Sequence, residues 1–278
     1  MSATGGLKDA ADAWALPRRL VSNLAAWGLV LVRPPLGHRD LRPRAGPLAL
    51  TMLAVLAAVV SMFLYDAVAS NWARHLPQWF IDVFDQITDF GRSGWFLIPF
   101  GFVLLVLAAL LSPALPRMTQ GVIAALAVRF GFLFLAVGAP GLFVTIVKRL
   151  IGRARPFVGG HDDPFAYLPF VWRPEYASMP SGHAAAAVSA AVAIGAIWPR
   201  ARLVMWIYAA TIMASRVIVM AHHPSDVIAG ALVGGLGALM VRHWFAARRL
   251  GFEANGTRAL PGPSLQRIKA VARRLSGQ

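Results

Sequence analysis

The chain has 278 residues, of which 58% are hydrophobic and 14% charged, against roughly 25% charged in ordinary globular domains. That balance excludes an ordinary soluble protein and points to the membrane. The net charge of +15 gathers at the two ends: residues 1–47 hold seven Lys or Arg against three acids, and residues 242–278 hold eight against one. Both clusters flank apolar runs, so they read as contacts for anionic phospholipids, not for nucleic acid. Without cysteine there is no disulfide framework and no thiolate metal site, and the compartment stays open.

In chain order, the polar N-terminus reaches no apolar run before Leu24 and makes a poor cleavable signal peptide. Residues 24–32, LAAWGLVLV, are too short to span and are expected to lie on the cytoplasmic surface. Six stretches then approach the roughly twenty apolar residues that cross a bilayer: 48–66, 95–112, 130–147, 183–198, 203–221 and 226–246. Between the first two, Trp72, Leu76, Phe80, Val83, Phe84 and Ile87 recur at helical spacing, with Asp82, Asp85 and Asp89 on another face. This segment is expected to be a helix lying on the membrane. Pro140, between Gly138 and Gly141, is expected to kink the third span. The fourth is short, and the basic tail beyond about residue 250 is expected to be mobile. No internal repeat of the kind found in many transporters is visible.

The fold class expected is an all-α integral membrane protein, six transmembrane helices in a bundle with interfacial helices. Its segments are a basic N-terminal part, 1–47, a six-span domain, 48–246, and a basic tail, 247–278. The positive charges place both termini in the cytoplasm. One outward loop then breaks the charge rule, because it carries Lys148, Arg149, Arg153, Arg155 and Arg173. A site for an anionic ligand would explain them.

Three polar clusters fall on that outward side. In KRLIGRARP, Lys148, Arg149, Arg153 and Arg155 place four cations in eight residues, either as a juxtamembrane collar or as a grip on phosphate oxygens. In MPSGHAAAAV, the turn Pro180-Ser181-Gly182 precedes a helix whose free N–H groups suit an anion. Ser181 can cap that helix or donate to a ligand, and His183 can transfer a proton there. In SRVIVMAHHPSD, Arg216 lies inside a span, where an ionisable group is costly and points to function. Arg216 and His222 are separated by about 9 Å of helical rise and do not share a face, but both can border one pocket. Pro224 biases His223 out of the helix. Ser225 is expected to cap the sixth helix, with Asp226 in its first turn reaching back to a histidine. A metal site of His183, His222, His223 and Asp226 fits poorly, because it lacks a helical ligand pair and is ringed by cations.

Together these clusters resemble the type 2 phosphatidic acid phosphatase superfamily of membrane lipid phosphatases. Lys148 is followed by six residues and then Arg155-Pro156; Pro180-Ser181-Gly182-His183 is the second part; Ser215-Arg216, five residues, His222, three residues and Asp226 make the third. The resemblance implies a metal-independent phosphatase without cofactor, acting on a membrane lipid phosphate through a phosphohistidine. In it, His222 is the nucleophile, Asp226 orients it, and His183 is the general acid. Lys148, Arg155, Ser181, Gly182 and Arg216 bind the phosphoryl oxygens, while Arg149, Arg153 and His223 fall outside the signature. The expected setting is a bacterial inner membrane with a periplasmic site. Family substrates include phosphatidic acid, phosphatidylglycerol phosphate, undecaprenyl diphosphate and lipid A phosphates; undecaprenyl diphosphate is favoured for a bacterial member, with lipid A as the alternative. A non-hydrolytic phospholipid binder or transporter would have no need of oriented histidines. A vanadate-using haloperoxidase shares the site, but its known relatives are soluble. Oligomeric state is not readable.

Overall fold

The computed structural model describes residues 4–36, 45–253 and 258–275. Arg39, Arg42 and Arg44 of the basic N-terminal cluster lie outside them. Among the described residues the chain is helical, with only two isolated bridges, Arg153 with Tyr167 and Phe252 with Ala259. Ten α-helices follow one another: α1 (Thr4–Val32), α2 (Ala45–Leu64), α3 (Asp66–Arg74), α4 (Gln78–Asp89), α5 (Gly94–Leu110), α6 (Arg117–Ile151), α7 (Gly182–Ile197), α8 (Arg202–Ile218), α9 (Pro224–Ala247) and α10 (Leu265–Leu275).

Four stretches are long and apolar enough to cross a membrane alone: Gln78–Leu110, Arg117–Ile151, Pro199–Ile218 and Pro224–Ala247. Thr51–Leu64 with Asp66–Arg74 makes a fifth if that pair, bent by 59°, is one broken span. Of the six expected spans, the fourth is an apolar helix of 16 residues, α7, below spanning length by itself. The molecule is therefore an all-helical membrane protein with four or five candidate spans among the described residues. Exposed Met52, Leu56 and Phe63 on α2, and Ile98, Phe102 and Leu105 on α5, are the side chains a bilayer would solvate.

Several local expectations change. The segment expected to lie on the membrane breaks at Pro77 into α3 and α4, and α4 continues the apolar stretch of α5. The third span is longer than expected, part of a 35-residue helix with Pro140 inside it. Residues 24–32 close a 29-residue helix, so they are not a short separate element. The tail, expected to be mobile, contains α10, whose Arg267, Lys269, Arg273 and Arg274 alternate with apolar residues and whose Val271 is buried. An amphipathic pattern was present there, masked by its low overall hydrophobicity.

By contact the chain forms two units. The first comprises residues 1–39, 98–132 and 243–278; its core sets Leu107, Ile123 and Ala127 against Trp27, Val103 and Phe130. Phe132 also packs there against Phe245 and Phe252. The second comprises residues 40–97 and 133–242. Its centre is α7, an alanine-rich helix buried along most of its length. Ala187, Val188 and Ala191 of α7 pack on Ala209 and Ile212 of α8, and α9 comes closer still. A Cβ on Gly230 would lie 2.3 Å from Ser181 O, and one on Gly234 2.3 Å from Ala185 O. This small-xxx-small pair brings two backbones into contact, as membrane helices commonly do.

Candidate active site

Four helix ends meet in the second unit: the C-termini of α6 and α8 and the N-termini of α7 and α9. Each carries a piece of the sequence signature. The long segment between α6 and α7 is tied down by its backbone. Ala154 N donates to Ala166 O at 2.9 Å, Leu168 N to Gly152 O at 2.7 Å, Arg155 N to Glu175 O at 2.8 Å and Ser178 N to Arg153 O at 3.1 Å. Gly152 permits this: its φ is +65°, and a Cβ would fall 1.9 Å from Leu168 O. The residues from Arg153 to Arg155 are thereby clamped between two neighbouring strips of chain.

At the end of α8 the chain turns sharply through Met220, whose φ is +52°. Ala221 N and His222 N both return to Arg216 O, at 3.1 and 3.2 Å, closing the helix in a Schellman-like way. This turn answers the concern that Arg216 and His222 lie on different helical faces: the helix stops at Ile218, and the chain folds back. Arg216 is steadied by Thr88 Oγ1, 2.6 Å from its Nη1, and Ser215 Oγ is hydrogen-bonded to the same hydroxyl at 2.9 Å.

Asp226 sits in the first turn of α9, wholly buried. Its Oδ1 receives Arg153 Nη1 at 2.6 Å. Its Oδ2 receives the Ser178 hydroxyl at 2.6 Å and His223 N at 2.9 Å. His222 Nδ1 is 3.8 Å from Oδ2 and 3.4 Å from Ser178 Oγ. The expected reach from Asp226 to a histidine is therefore spread over both neighbours, and neither ring makes its short contact. Ser225 does not cap α9. It lies inside the first turn, and its hydroxyl and N–H both serve Asp66, the N–H at 3.0 Å.

The same region brings Asp66 into play. Arg153 Nη2 donates to Asp66 Oδ2 at 2.8 Å, so one guanidinium joins two buried carboxylates. Burial opposes the Arg153 charge, but Asp226 and Asp66 outweigh it and raise its pKa. His223 Nε2 pairs with Asp162 at 3.1 Å. Burial opposes its charge too, and Asp226 with Asp162 overcomes that and raises its pKa. His222 behaves oppositely: burial, aided by Arg216 and Arg155, lowers its pKa despite Asp226. Adjacent histidines thus have opposite electrostatic fates.

The remaining signature residues border the same place. Ser181 N donates to Asp226 O at 2.9 Å, fixing the start of α7 to α9. Ser181 is its N-cap residue but makes no side-chain cap bond. A Cβ on Gly182 would meet only Val144 Cγ1, at 3.9 Å, so the amide end of α7 is open. His183 feels the charges of Arg216, His222, Arg92 and Arg155, and its Cδ2 lies 2.9 Å from where a Cβ on Gly91 would be. Lys148 stands close enough to Arg149 and Arg155 for their charges to repel. Ser181 Oγ, Arg155 Nε, Arg216 Nε and Arg149 Nη1 are buried without a hydrogen-bond partner in the protein. Such atoms are costly unless something else uses them.

All eight expected catalytic and phosphate-binding residues are thus brought to one end of the second unit. Sequence reasoning missed Asp66, Ser178 and Thr88, and it treated Arg153 as an accessory. Asp66 had a signal, being a lone carboxylate at the end of an apolar span. Ser178 and Thr88 had none.

Known proteins resemble this chain in sequence and fold. The PAP2 superfamily family model matches residues 129–250. A lipid A 1-phosphatase of Rhizobium etli is 31% identical over 207 residues, 74% of this chain and 88% of that protein. One of Rhizobium johnstonii is 32% identical over 199 residues, covering 71% and 80% respectively. The crystal structure of the first transmembrane PAP2 type phosphatidylglycerolphosphate phosphatase from Bacillus subtilis aligns at a TM-score of 0.47 and 22% identity, over 70% of this chain and 94% of that one. On the strength of the two Rhizobium relatives, with the family model, the chain belongs to the PAP2 superfamily and is a membrane lipid phosphatase.

Proposed function

We propose that this phosphatase removes the 1-phosphate of a lipid A-type glycolipid through a phosphohistidine at His222. The observation that carries the chemistry is the meeting of a buried histidine of lowered pKa with cationic groups whose buried N–H donors have no protein partner. With Nδ1–H directed at Ser178, His222 keeps its Nε2 lone pair free. Nε2 attacks phosphorus, the bond from phosphorus to the lipid oxygen breaks, and His183 delivers the proton that oxygen needs. Water then attacks the phosphohistidine, losing its proton to His183, and inorganic phosphate leaves. Lys148, Arg155, Arg216, Ser181 and the Gly182 amide hold the non-bridging oxygens, where phosphoryl transfer gains most from fixed positive charge.

The substrate choice is supported by the two relatives named lipid A 1-phosphatase. It replaces the preference for undecaprenyl diphosphate, which no residue of the site favours. The proposed setting is the bacterial inner membrane, with α7 as the fourth of six spans, both termini cytoplasmic and the site on the periplasmic side. Arg267, Lys269, Arg273 and Arg274 of α10 would then meet anionic phospholipid at the cytoplasmic surface.

Phosphate release from lipid A, undecaprenyl diphosphate, phosphatidylglycerol phosphate and phosphatidic acid, measured with purified protein in mixed micelles, tests both parts. Lipid A is expected to be turned over fastest, and His222→Ala to abolish release from every lipid. Equal or faster turnover of another lipid overturns the substrate assignment. Release that persists in the His222 variant overturns the mechanism.

A further inference from the structure

The hydrogen bonds around Asp226 leave His222 without a direct short link to it. Oδ1 is taken by Arg153 at 2.6 Å, and Oδ2 by Ser178 at 2.6 Å and His223 N at 2.9 Å. His222 Nδ1 stands off at 3.8 Å, beyond hydrogen-bond reach. Nearer to it, at 3.4 Å, is the Ser178 hydroxyl. That hydroxyl has one proton, and the 2.6 Å bond to an acceptor-only carboxylate spends it on Asp226. Its lone pairs are then what Nδ1 faces, so Nδ1 must carry the proton and Nε2 must be bare.

We infer that Ser178 is a positioning residue for the reaction: it relays Asp226 to His222, holding the tautomer that leaves Nε2 free and steadying the imidazolium that forms on phosphorylation. This rests on His222 being the nucleophile. Ser178 is suited to the task. It is wholly buried, its backbone N is fixed to Arg153 O at 3.1 Å, and its anchor Asp226 is held by Arg153. Arg153, joined also to Asp66, keeps Asp226 turned towards Ser178. The serine lies in ASMPSGH, three residues before Ser181 and outside the signature.

The charged and titratable groups facing His222 are Asp226 from α9, Arg216 from α8, Arg155 from the loop and His183 from α7. Among them only Asp226 favours the imidazolium, and Ser178 is the nearest atom carrying its influence. Removing the hydroxyl should lower the ease of protonating His222 as well as the rate.

The test compares wild type with Ser178→Ala, Ser178→Thr and His222→Ala on the same four lipids, reading kcat, KM, the acid limb of kcat/KM and thermal unfolding. Ser178→Ala is expected to lower kcat about 10- to 100-fold, by analogy with the loss of a partner that orients a metal-bound histidine. KM should stay within about twofold and the acid limb should move to lower pH. Ser178→Thr, which keeps the hydroxyl, should recover much of kcat and the wild-type limb. Two results overturn the relay: Ser178→Ala with wild-type kcat and limb, or a loss of kcat in that variant with an unmoved limb and a lowered unfolding temperature, which marks a packing role. If Ser178→Ala fails to fold, a Ser178→Thr enzyme with full kcat but a displaced limb has the same force. His222→Ala separates the two levels: if it still releases phosphate, the nucleophile assignment fails, whatever Ser178 does.

Discussion

Two sides of one site are built on opposite rules. Around Asp226 the oxygens of both central carboxylates are used: Arg153, Ser178 and His223 serve Asp226, while Asp66 is served by Arg153, Ser225 and Ser61, and only His223 Nδ1 and Asp162 Oδ2 at the edge of this network lack a hydrogen-bond partner. Around Arg216 and Ser181 the reverse holds, with Arg155 Nε, Arg216 Nε and Ser181 Oγ buried but unpaired in the protein. A saturated network is rigid and asks for nothing more. An unsaturated one is a template for the oxygens it lacks. His222 stands between the two, and under the proposed function the contrast separates scaffold from binding surface.

Substitutions that erase this contrast should have the largest effects. Arg216→Ala removes a donor from the open side and should lower kcat/KM on the order of 10²- to 10³-fold, with unfolding temperature little changed. Arg153→Met attacks the saturated side. It leaves Asp66 and Asp226 buried without their shared cation, a loss of about 3–5 kcal/mol for broken buried pairs. Thermal unfolding and expression should show this before activity does. If the two variants behaved alike, the division into template and scaffold would be wrong.

Smaller effects sharpen it. In the proposed mechanism the attacking form of His222 is neutral, and burial lowers its pKa, so the neutral form persists as pH falls through about 6.5, the ordinary imidazole value. The acid limb of kcat/KM should therefore lie below pH 6.5, and a limb above it would contradict the burial account. His223 has the opposite sign. Its pKa is raised by Asp226 and Asp162, so its contribution to stability is full below about 6.5 and is lost as pH rises through the raised value. His223→Gln should lower the unfolding temperature most at acidic pH, with the gap to wild type closing as pH rises.

The sequence carried the helical membrane class because apolar runs long enough to span are hard to mistake. It carried the signature because spacing within short segments survives folding: Lys148, Arg155, Arg216, His222 and Asp226 come together at one end of the second unit. What it hid came from tertiary contact. Arg153 sits among three other cations in KRLIGRARP, and nothing local shows that it alone turns inward to two carboxylates 87 and 73 residues away. Helix ends were shifted for local reasons: Met220 in a left-handed conformation ended α8 earlier than its apolar pattern suggested. The Gly230–Gly234 pair was readable as a small-residue face, but its use against the Ser181 backbone depends on α7.

The brevity of α7 has a consequence for what the enzyme accepts. Its 16 residues rise about 24 Å, against roughly 30 Å of hydrocarbon. With Trp198 and Pro199 at the cytoplasmic boundary, as in the proposed orientation, Ser181 and His183 sit beneath the opposite rim of the bilayer. A phosphate must sink to reach them. A lipid is held at that depth by its own acyl chains, whereas a water-soluble phosphate ester has only the cationic groups of the site to draw it below the surface. Depth alone would then discriminate lipid phosphates from the far more abundant soluble ones, before any contact with the headgroup is made.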